Sequence, residues 1–205
     1  MGLQSAKGRE LFKVAASFVT CIVTFSFDFE AIRLYKHYLS MLTSSYWIDH
    51  LHLLPHPEGG FYKETYRSKE NVSSPSLPHR FVGDRSISTA IYFLLRSQDK
   101  SMFHKIKSDE LWHFHTGSSL TIYVLDQSGL TTHKLGLDVA KGENPQVVIP
   151  ADCWFGALVN EPDHYTLVSC TVAPGFHFSD FKLAHRAQLM REFPDHQALI
   201  TRLTE

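Results

Sequence analysis

The stretch that decides the fold is residues 103–117, FHKIKSDELWHFHTG, in which a histidine precedes a glutamate by six residues and a glycine closes the run. Two short strands joined by a tight turn would hold His104 and Glu110 side by side. An imidazole and a carboxylate at that separation can bind a metal, transfer a proton or hydrogen-bond a polar ligand. The rest of the chain is therefore interpreted as the scaffold for this pair.

Length and composition are those of an ordinary folded domain. The chain has 205 residues, of which 43% are hydrophobic and 20% charged, with a formal net charge of −1. This is enough apolar material for a large core without disulfides. No basic cluster stands out, so no nucleic-acid partner is predicted. Cys21, Cys153 and Cys170 form no C-x-x-C pair and are interpreted as reduced thiols of a cytoplasmic protein.

Residues 1–40 differ from the rest and are predicted to be an N-terminal extension. Basic residues precede an uncharged segment, 14–27, which is shorter than the roughly 20 residues that span a bilayer. Three interpretations stay open: a packed extension, a targeting segment that sends the protein into the secretory pathway through residues 1–27, or a membrane anchor. A helix is predicted over 31–48, because apolar residues recur there at spacings of three and four.

Short strands dominate the sequence from residue 61 onward, with turns roughly every 8 to 12 residues. The predicted strands are 61–68, 87–95, 102–106, 110–116, 120–125, 130–135, 146–149, 154–159 and 165–172. Such a series predicts an all-β sandwich or barrel. Two helices are predicted after it, at 183–193 and 196–203. Residues 41–205 are thus expected to form a single β domain with helices at its ends.

Strand alternation divides the side chains near Glu110 between two faces. Glu110, Trp112 and Phe114 share one face, and His113 and His115 share the other. If Glu110 points into a barrel, two aromatic rings lie beside it. An apolar cavity with a few convergent polar groups is the usual composition of a small-ligand site. Trp112 and Phe114 are therefore candidate ligand-binding residues.

Several sequence blocks resemble the cupin superfamily. The spacing of His104, Glu110 and Gly117 resembles its first motif, and PADCWF at 150–155 resembles its second. Further blocks are similar to the cupin 5 family, a domain of unknown function, and together they cover about residues 47–204; these blocks are 55–68, 103–114, 154–157 and 172–176. The resemblance implies a double-stranded β-helix, or jelly roll, like that of the sugar-nucleotide epimerases of rhamnose synthesis. It also implies a homodimer formed through strands.

Metal-binding cupins use three histidines and one glutamate, and this chain departs from that set. Ile106 and Phe155 stand at the second and last histidine positions. Because a transition metal usually takes three or four protein ligands, no metal or other cofactor is predicted. The alternative is a divalent metal held by His104 and Glu110.

The predicted function is binding of a small polar, carbohydrate-like metabolite in the barrel by a metal-independent sugar or sugar-nucleotide isomerase or epimerase. The resemblance implies that His104 is the catalytic base, that Glu110 orients it or binds a sugar hydroxyl, and that a tyrosine returns the proton. The tyrosine candidates are Tyr62, Tyr66, Tyr92 and Tyr123. Two alternatives are a non-catalytic binding module and a metal-dependent cupin enzyme.

Further ligand-binding candidates lie on other predicted strands. Lys63 and Arg67 have the same strand parity, which would let them meet a phosphate or carboxylate together. Thr65 lies between them. Tyr123 and Phe155 complete the predicted set of ligand-binding residues.

Overall fold

The computed structural model describes residues 42–205, and Ser44–Glu205 form one compact unit. The apolar segment 14–27 and most of the predicted helix 31–48 lie outside the described residues. The described part of that helix is α1, Ser44–Leu51. Within residues 42–205, no helix combines the length and apolar character needed to cross a membrane.

Antiparallel strands are the main regular structure of the described chain. They are β1 (Leu54–Pro55), β2 (Phe61–Arg67), β3 (Asn71–Val72), β4 (Arg85–Ser86), β5 (Thr89–Arg96), β6 (Ser101–Lys105), β7 (Asp109–Gly117), β8 (Leu120–Asp126), β9 (Gly129–Leu135), β10 (Gln146–Ile149), β11 (Trp154–Val159), β12 (Tyr165–Ala173) and β13 (Lys182–Leu183). Two short helices, α2 (Arg186–Glu192) and α3 (Gln197–Arg202), follow them.

The strands form two facing sheets. One has the order β1-β2-β5-β12-β7-β10 and the other β13-β6-β11-β8-β9, with β3 and β4 as a separate pair. Most hydrogen-bonded neighbours are far apart in the chain; β12, for example, pairs with both β5 and β7. This crossed order is that of a jelly roll, and it confirms the all-β prediction with helices at the ends.

Strand alternation fills the space between the sheets with apolar side chains. Phe93 on β5 and Trp112 on β7 face Ile122 and Phe155 from the opposite sheet, and all four are almost fully buried. On the outer faces, α1 packs against the six-stranded sheet and the C-terminal helices pack against the five-stranded one. The helices thereby cover both sheets and leave the interior to the two inner faces.

The turn between β1 and β2 is fixed by two glycines in left-handed conformations. Gly59 has φ +111° and Gly60 has φ +69°. A Cβ at Gly59 would overlap the Lys100 carbonyl oxygen, and one at Gly60 would lie 2.6 Å from the Leu94 carbonyl oxygen. Because only glycine allows this close approach, the turn holds the residue before it, Glu58, in one position.

Replacing Gly59 by alanine is expected to lower the free energy of unfolding by about 2–4 kcal/mol, because the new Cβ adds an overlap with backbone to the left-handed strain. Gly129→Ala is the matched control: Gly129 has φ +107° with nothing within 4 Å of a built Cβ. It should cost only about 1–2 kcal/mol. Urea unfolding measures both, and equal losses would show that the contact with Lys100 is unimportant.

Candidate functional site

A cavity of about 110 Å³ opens between the inner faces of the two sheets. Its walls combine aromatic rings with a small set of ionisable side chains. The lining residues are His56, Glu58, Tyr62, Glu64, Arg67, Thr89, Ile91, Phe93, His104, Ile106, Glu110, Trp112, Cys170, Val172, Phe176, Phe178 and Phe181. Such a volume holds several water molecules or a small metabolite.

Both ring nitrogens of His104 have a close polar neighbour, one in a hydrogen bond and the other in a short contact. Its Nδ1 lies 2.7 Å from the carbonyl oxygen of Met102, which requires Nδ1 to carry a proton and donate it. Its Nε2 lies 3.1 Å from Oε2 of Glu58. Ser101 Oγ donates to the other Glu58 oxygen at 2.8 Å. Both nitrogens of His104 are therefore used within the protein.

Burial favours the neutral forms of this pair. Desolvation raises the pKa of Glu58 well above its usual value, as does the charge of Glu110, while the Ser101 hydrogen bond opposes the rise. Desolvation lowers the pKa of His104 to about 3. The protonated Glu58 carboxyl therefore donates to the unprotonated Nε2 of His104.

The expected pairing of His104 with Glu110 is wrong. His104 lies on β6 and Glu110 on β7, and these strands belong to different sheets. The chain between them crosses from one sheet to the other instead of forming a hairpin, so both side chains line the cavity from separate sheets. Glu58 occupies the place beside His104 that the sequence assigned to Glu110.

His56 presents an N–H to the cavity. Its Nδ1 accepts a hydrogen bond from the backbone N–H of Glu58 at 3.3 Å, so the ring proton is on Nε2. Burial lowers the pKa of His56 to about 4, which keeps the ring neutral at ordinary pH. Among the described residues, Nε2 has no hydrogen-bond partner, although Tyr62 and Phe93 pack edge-on against the ring.

Glu110 and Trp112 form the second polar part of the cavity. Burial raises the pKa of Glu110 to about 7, with the neighbouring Cys170 thiol and Trp112 indole opposing the rise. Trp112 is 1% exposed. Its indole N–H lies close enough to the Glu110 carboxyl to lower the pKa of that group, yet it completes no hydrogen bond of acceptable geometry with any acceptor in residues 42–205. An unsatisfied buried donor is costly, so this N–H is suited to a ligand oxygen.

An ion pair of Glu64 and Arg67 lines the cavity from β2. The Arg67 guanidinium donates to both Glu64 oxygens, at 3.0 and 2.6 Å, and to the carbonyl oxygen of Phe176 at 3.0 Å. The expected shared face of Lys63 and Arg67 is wrong, because a bulge between Glu64 and Tyr66 shifts the register of β2. The bulge leaves Glu64 and Arg67, not Lys63, among the lining residues.

Several predicted ligand-binding residues lie outside the cavity lining. Lys63 and Thr65 are exposed, and the Thr65 hydroxyl donates to the Ala90 carbonyl. Tyr123 packs on the cluster beneath the C-terminal helices, because alternation along β8 turns it away from the interior. Phe114 packs against the main core without reaching the cavity. The Phe155 ring lies 4.1 Å from the His104 ring, which it helps to bury.

Sequence reasoning missed His56 and Glu58 because both lie in an irregular turn, where strand parity gives no information. The available signal is a carboxylate directly before two glycines, since a rigid turn can hold such a group in a buried position. Of the four tyrosine candidates, the cavity is lined by Tyr62 alone.

The residues at the cupin metal positions do not fit a metal ion. Ile106 and Phe155 offer no donor atom, Nδ1 of His104 is hydrogen-bonded to Met102, and its Nε2 lies 3.1 Å from Glu58. Within residues 42–205, no group of three or more His, Cys, Asp or Glu side chains is arranged to hold a metal. The alternative of a metal held by His104 and Glu110 therefore lacks a sufficient donor set.

Comparison with known proteins agrees with this fold. The family described as Cupin superfamily (DUF985) matches residues 45–184. The chain is similar to protein SO0799 from Shewanella oneidensis, whose crystal structure is known. The sequence identity is 43% and the TM-score is 0.71, and the match covers 80% of this chain and 98% of that one. It is 34% identical to a hypothetical protein from Leishmania major, with a TM-score of 0.72 over 79% of this chain and 98% of that one.

A curated relative comes from Saccharomyces cerevisiae: the uncharacterized protein YML079W is 30% identical over 137 residues, which are 62% of this chain and 68% of the relative. The family match covers the turn that carries Glu58, the strands that carry His104 and Glu110, and the core between the sheets. The chain therefore belongs to the cupin superfamily, in the family DUF985.

Proposed function

We propose that this protein binds a small, hydroxylated, carbohydrate-like metabolite in the cavity and isomerises or epimerises it by proton transfer, with Glu110 as the base. The observation that carries the proposal is the state of Glu110: a carboxyl group in an apolar wall, with a pKa raised to about 7 by burial. A general base works best when its pKa lies near the working pH. It also lies next to a buried indole N–H that lacks a partner.

The proton is taken from a carbon next to a carbonyl group. The Glu110 carboxylate removes it and leaves an enolate, whose oxygen needs hydrogen-bond donors. Trp112 Nε1–H and His56 Nε2–H both line the cavity, and neither has a partner among the described residues. Two such donors are suited to stabilise the negative oxygen of the enolate.

Tyr62 is suited to return the proton from the other side of the ligand. It lies on β2, while Glu110 lies on β7 of the same sheet with β5 and β12 between them. Three strand spacings and an offset of four residues along the strands separate their Cα atoms by about 20 Å, which leaves room for a sugar ring between the two side chains. One C–H bond breaks and another forms, so the step needs no oxidant and no metal.

His104 supports the site in this proposal and does not act as its base. Its Nδ1 is used in a buried hydrogen bond to Met102, and Oε2 of Glu58 lies 3.1 Å from its Nε2, so Glu58 would have to move before Nε2 could contact a substrate. Through Glu58 it holds the turn that carries His56. This argument moves the base from His104, where the family resemblance suggested it, to Glu110.

Glu110→Gln tests the proposal directly. The protein is incubated in deuterium oxide with a panel of aldoses, ketoses and keto-sugar nucleotides, and deuterium entering the carbon beside the carbonyl is measured by NMR. Wild type should exchange at least one compound, and Glu110→Gln should slow that exchange about 100-fold or more, because the amide cannot accept the proton.

Two controls accompany this test. Glu70→Gln removes an exposed glutamate outside the cavity lining and should exchange at the wild-type rate. His104→Gln should slow exchange less than Glu110→Gln does. If Glu110→Gln exchanges as fast as wild type, Glu110 is not the base.

A non-catalytic binding module is the second candidate, and one observation favours it. The histidine that the resemblance makes the base has one nitrogen hydrogen-bonded to Met102 and the other 3.1 Å from Glu58. Binding of a panel compound, with a raised melting temperature but no deuterium exchange, would support this candidate over the isomerase.

A further inference from the structure

We infer that the cavity selects uncharged hydroxylated ligands, such as free sugars, polyols or lactones, and rejects their carboxylated or phosphorylated counterparts. The inference deepens the proposed function, since it names the charge class of the ligand. It depends on the proposed role of the cavity in ligand binding and is independent of the proton transfer.

The cavity has no cation free to neutralise an anion. Arg67 is the one arginine or lysine among its lining residues, and its guanidinium is already used by both oxygens of Glu64 and by the Phe176 carbonyl. The two lining histidines, His56 and His104, are kept neutral by burial, which lowers the pKa of each. A phosphate or carboxylate would therefore have to displace Glu64 to gain a charged partner.

The cavity also holds carboxyl groups that repel an anion. Glu58 and Glu110 are 6% and 7% exposed, and the negative charge of Glu110 acts in a wall of aromatic rings. Charges interact strongly in such poorly hydrated surroundings. A second negative charge would have to lose its water and face this carboxylate, which costs more than the same contact in solvent.

The groups that face the cavity are suited to hydroxyl and carbonyl oxygens. Trp112 Nε1–H and His56 Nε2–H are neutral donors without partners among the described residues, and Glu110 accepts hydrogen bonds when it is ionised. The phenylalanine rings of the cavity wall are suited to pack against the C–H faces of a sugar ring. Neutral donors, one acceptor and apolar walls are the complement of an uncharged polyol ring.

Isothermal titration calorimetry with matched compounds tests the inference. The neutral probes are ribose, ribitol and ribono-1,4-lactone with the glucose and xylose equivalents, and the anionic probes are the corresponding aldonates and sugar phosphates. At least one neutral compound should bind about tenfold or more tightly than its anionic counterparts. Tighter binding of the anions, or binding of none of the neutral compounds, would overturn the inference.

The indole N–H resonances provide a second measurement that needs no turnover. The chain has three tryptophans, and the Nε1–H groups of Trp47 and Trp154 already donate to Tyr165 and Glu192. Binding of a neutral probe should shift the Trp112 indole signal in a ¹⁵N spectrum and leave the other two in place. Trp112→Phe assigns the signal, and Trp154→Phe is the matched control that should bind like wild type. A Trp112 signal unmoved by a bound probe would contradict its role.

Glu110→Gln separates the two proposals. The amide removes the negative charge, so the ratio of the affinities for neutral and anionic probes should fall severalfold. An unchanged ratio would show that Glu110 does not reject anions. If neutral probes bind selectively but no deuterium exchange is seen, the proposed isomerase activity is wrong, while the inferred selectivity for uncharged ligands is supported. If anionic compounds bind more tightly than the neutral ones and undergo deuterium exchange, the inferred selectivity for uncharged ligands is wrong, while the proposed proton transfer is supported.

Discussion

Arg85→Ala should lower the free energy of unfolding by about 3–5 kcal/mol, the largest loss expected for a single side chain here. Arg85 is 4% exposed and donates to both oxygens of Asp180, at 2.6 and 2.7 Å. Its third nitrogen donates to the carbonyl oxygens of Val82, Gly83 and Asp84. Removing Arg85 leaves the buried Asp180 carboxylate and these partly buried carbonyl oxygens without its hydrogen bonds, and within residues 42–205 Lys107 is the cation that remains near Asp180.

The ion pair also fixes part of the cavity wall. Asp180 lies between Phe178 and Phe181, two of the rings that line the cavity. Burial acts to raise the pKa of Asp180, but the hydrogen bonds and charge of Arg85, together with Lys107, lower it below its usual value. Because that pKa is depressed in the folded state, the pair stabilises the fold at pH values above the usual aspartate pKa. This stabilisation is lost as the pH falls through the depressed pKa. The destabilisation by Arg85→Ala should therefore shrink at low pH.

Arg96→Ala is the control for this measurement. Arg96 also pairs with an aspartate, Asp99, at 2.8 Å, but its side chain is 33% exposed. A partly exposed pair is worth at most about 1 kcal/mol. Denaturant unfolding at neutral pH compares the two variants, and a loss of less than 1 kcal/mol for Arg85→Ala would show that the buried pair is replaceable.

Glu110→Gln should gain stability relative to wild type as the pH rises from 5 to 8, by about 2–3 kcal/mol over that interval. Burial raises the pKa of Glu110 from 4.5 to about 7. In this interval the folded protein holds a proton that the unfolded chain has lost, so the contribution of Glu110 to stability falls with rising pH. Glutamine carries no proton to lose, and its contribution stays constant.

The comparison with the variant is needed because other groups act in the opposite sense. The pKa values of His56 and His104 are lowered to about 4 and about 3, so their contributions to stability grow as the pH rises through the usual histidine pKa. The difference between wild type and Glu110→Gln cancels these shared terms. Urea unfolding at pH 5, 6, 7 and 8 gives that difference, and parallel curves for the two proteins would mean that Glu110 is not a high-pKa group.

Strand patterns determined much of this architecture in advance. The alternation of apolar residues predicted the strands of the jelly roll, and the change of period near residue 183 predicted the two C-terminal helices that are observed as α2 and α3. Periodicity gives this information because one buried face imposes a period of two on a strand. It also correctly placed Trp112 on the same face as Glu110, since both line the cavity.

The same patterns failed wherever the site depends on an irregularity. A bulge in β2 brought Arg67 to the cavity and left Lys63 outside it. A crossing between sheets separated His104 from Glu110. Local sequence does not encode either feature. A bulge is one extra residue that is left unpaired relative to the neighbouring strand, and the crossing is defined by which strands pair in each sheet, so both depend on residues far away in the chain.

By itself, the sequence predicted an all-β sandwich or barrel, because burial of one apolar face imposes alternation on a strand, and its resemblance to the cupin superfamily implied a jelly roll with His104, Glu110 and Trp112 in its interior. Only the tertiary structure decided which groups meet. It brought Glu58 from a glycine turn to His104, paired Arg67 with Glu64, and left the N–H groups of Trp112 and His56 without partners beside Glu110. The physical reason is that hydrogen bonds and pKa values depend on distances between residues far apart in the chain, which form only when the two sheets close on each other.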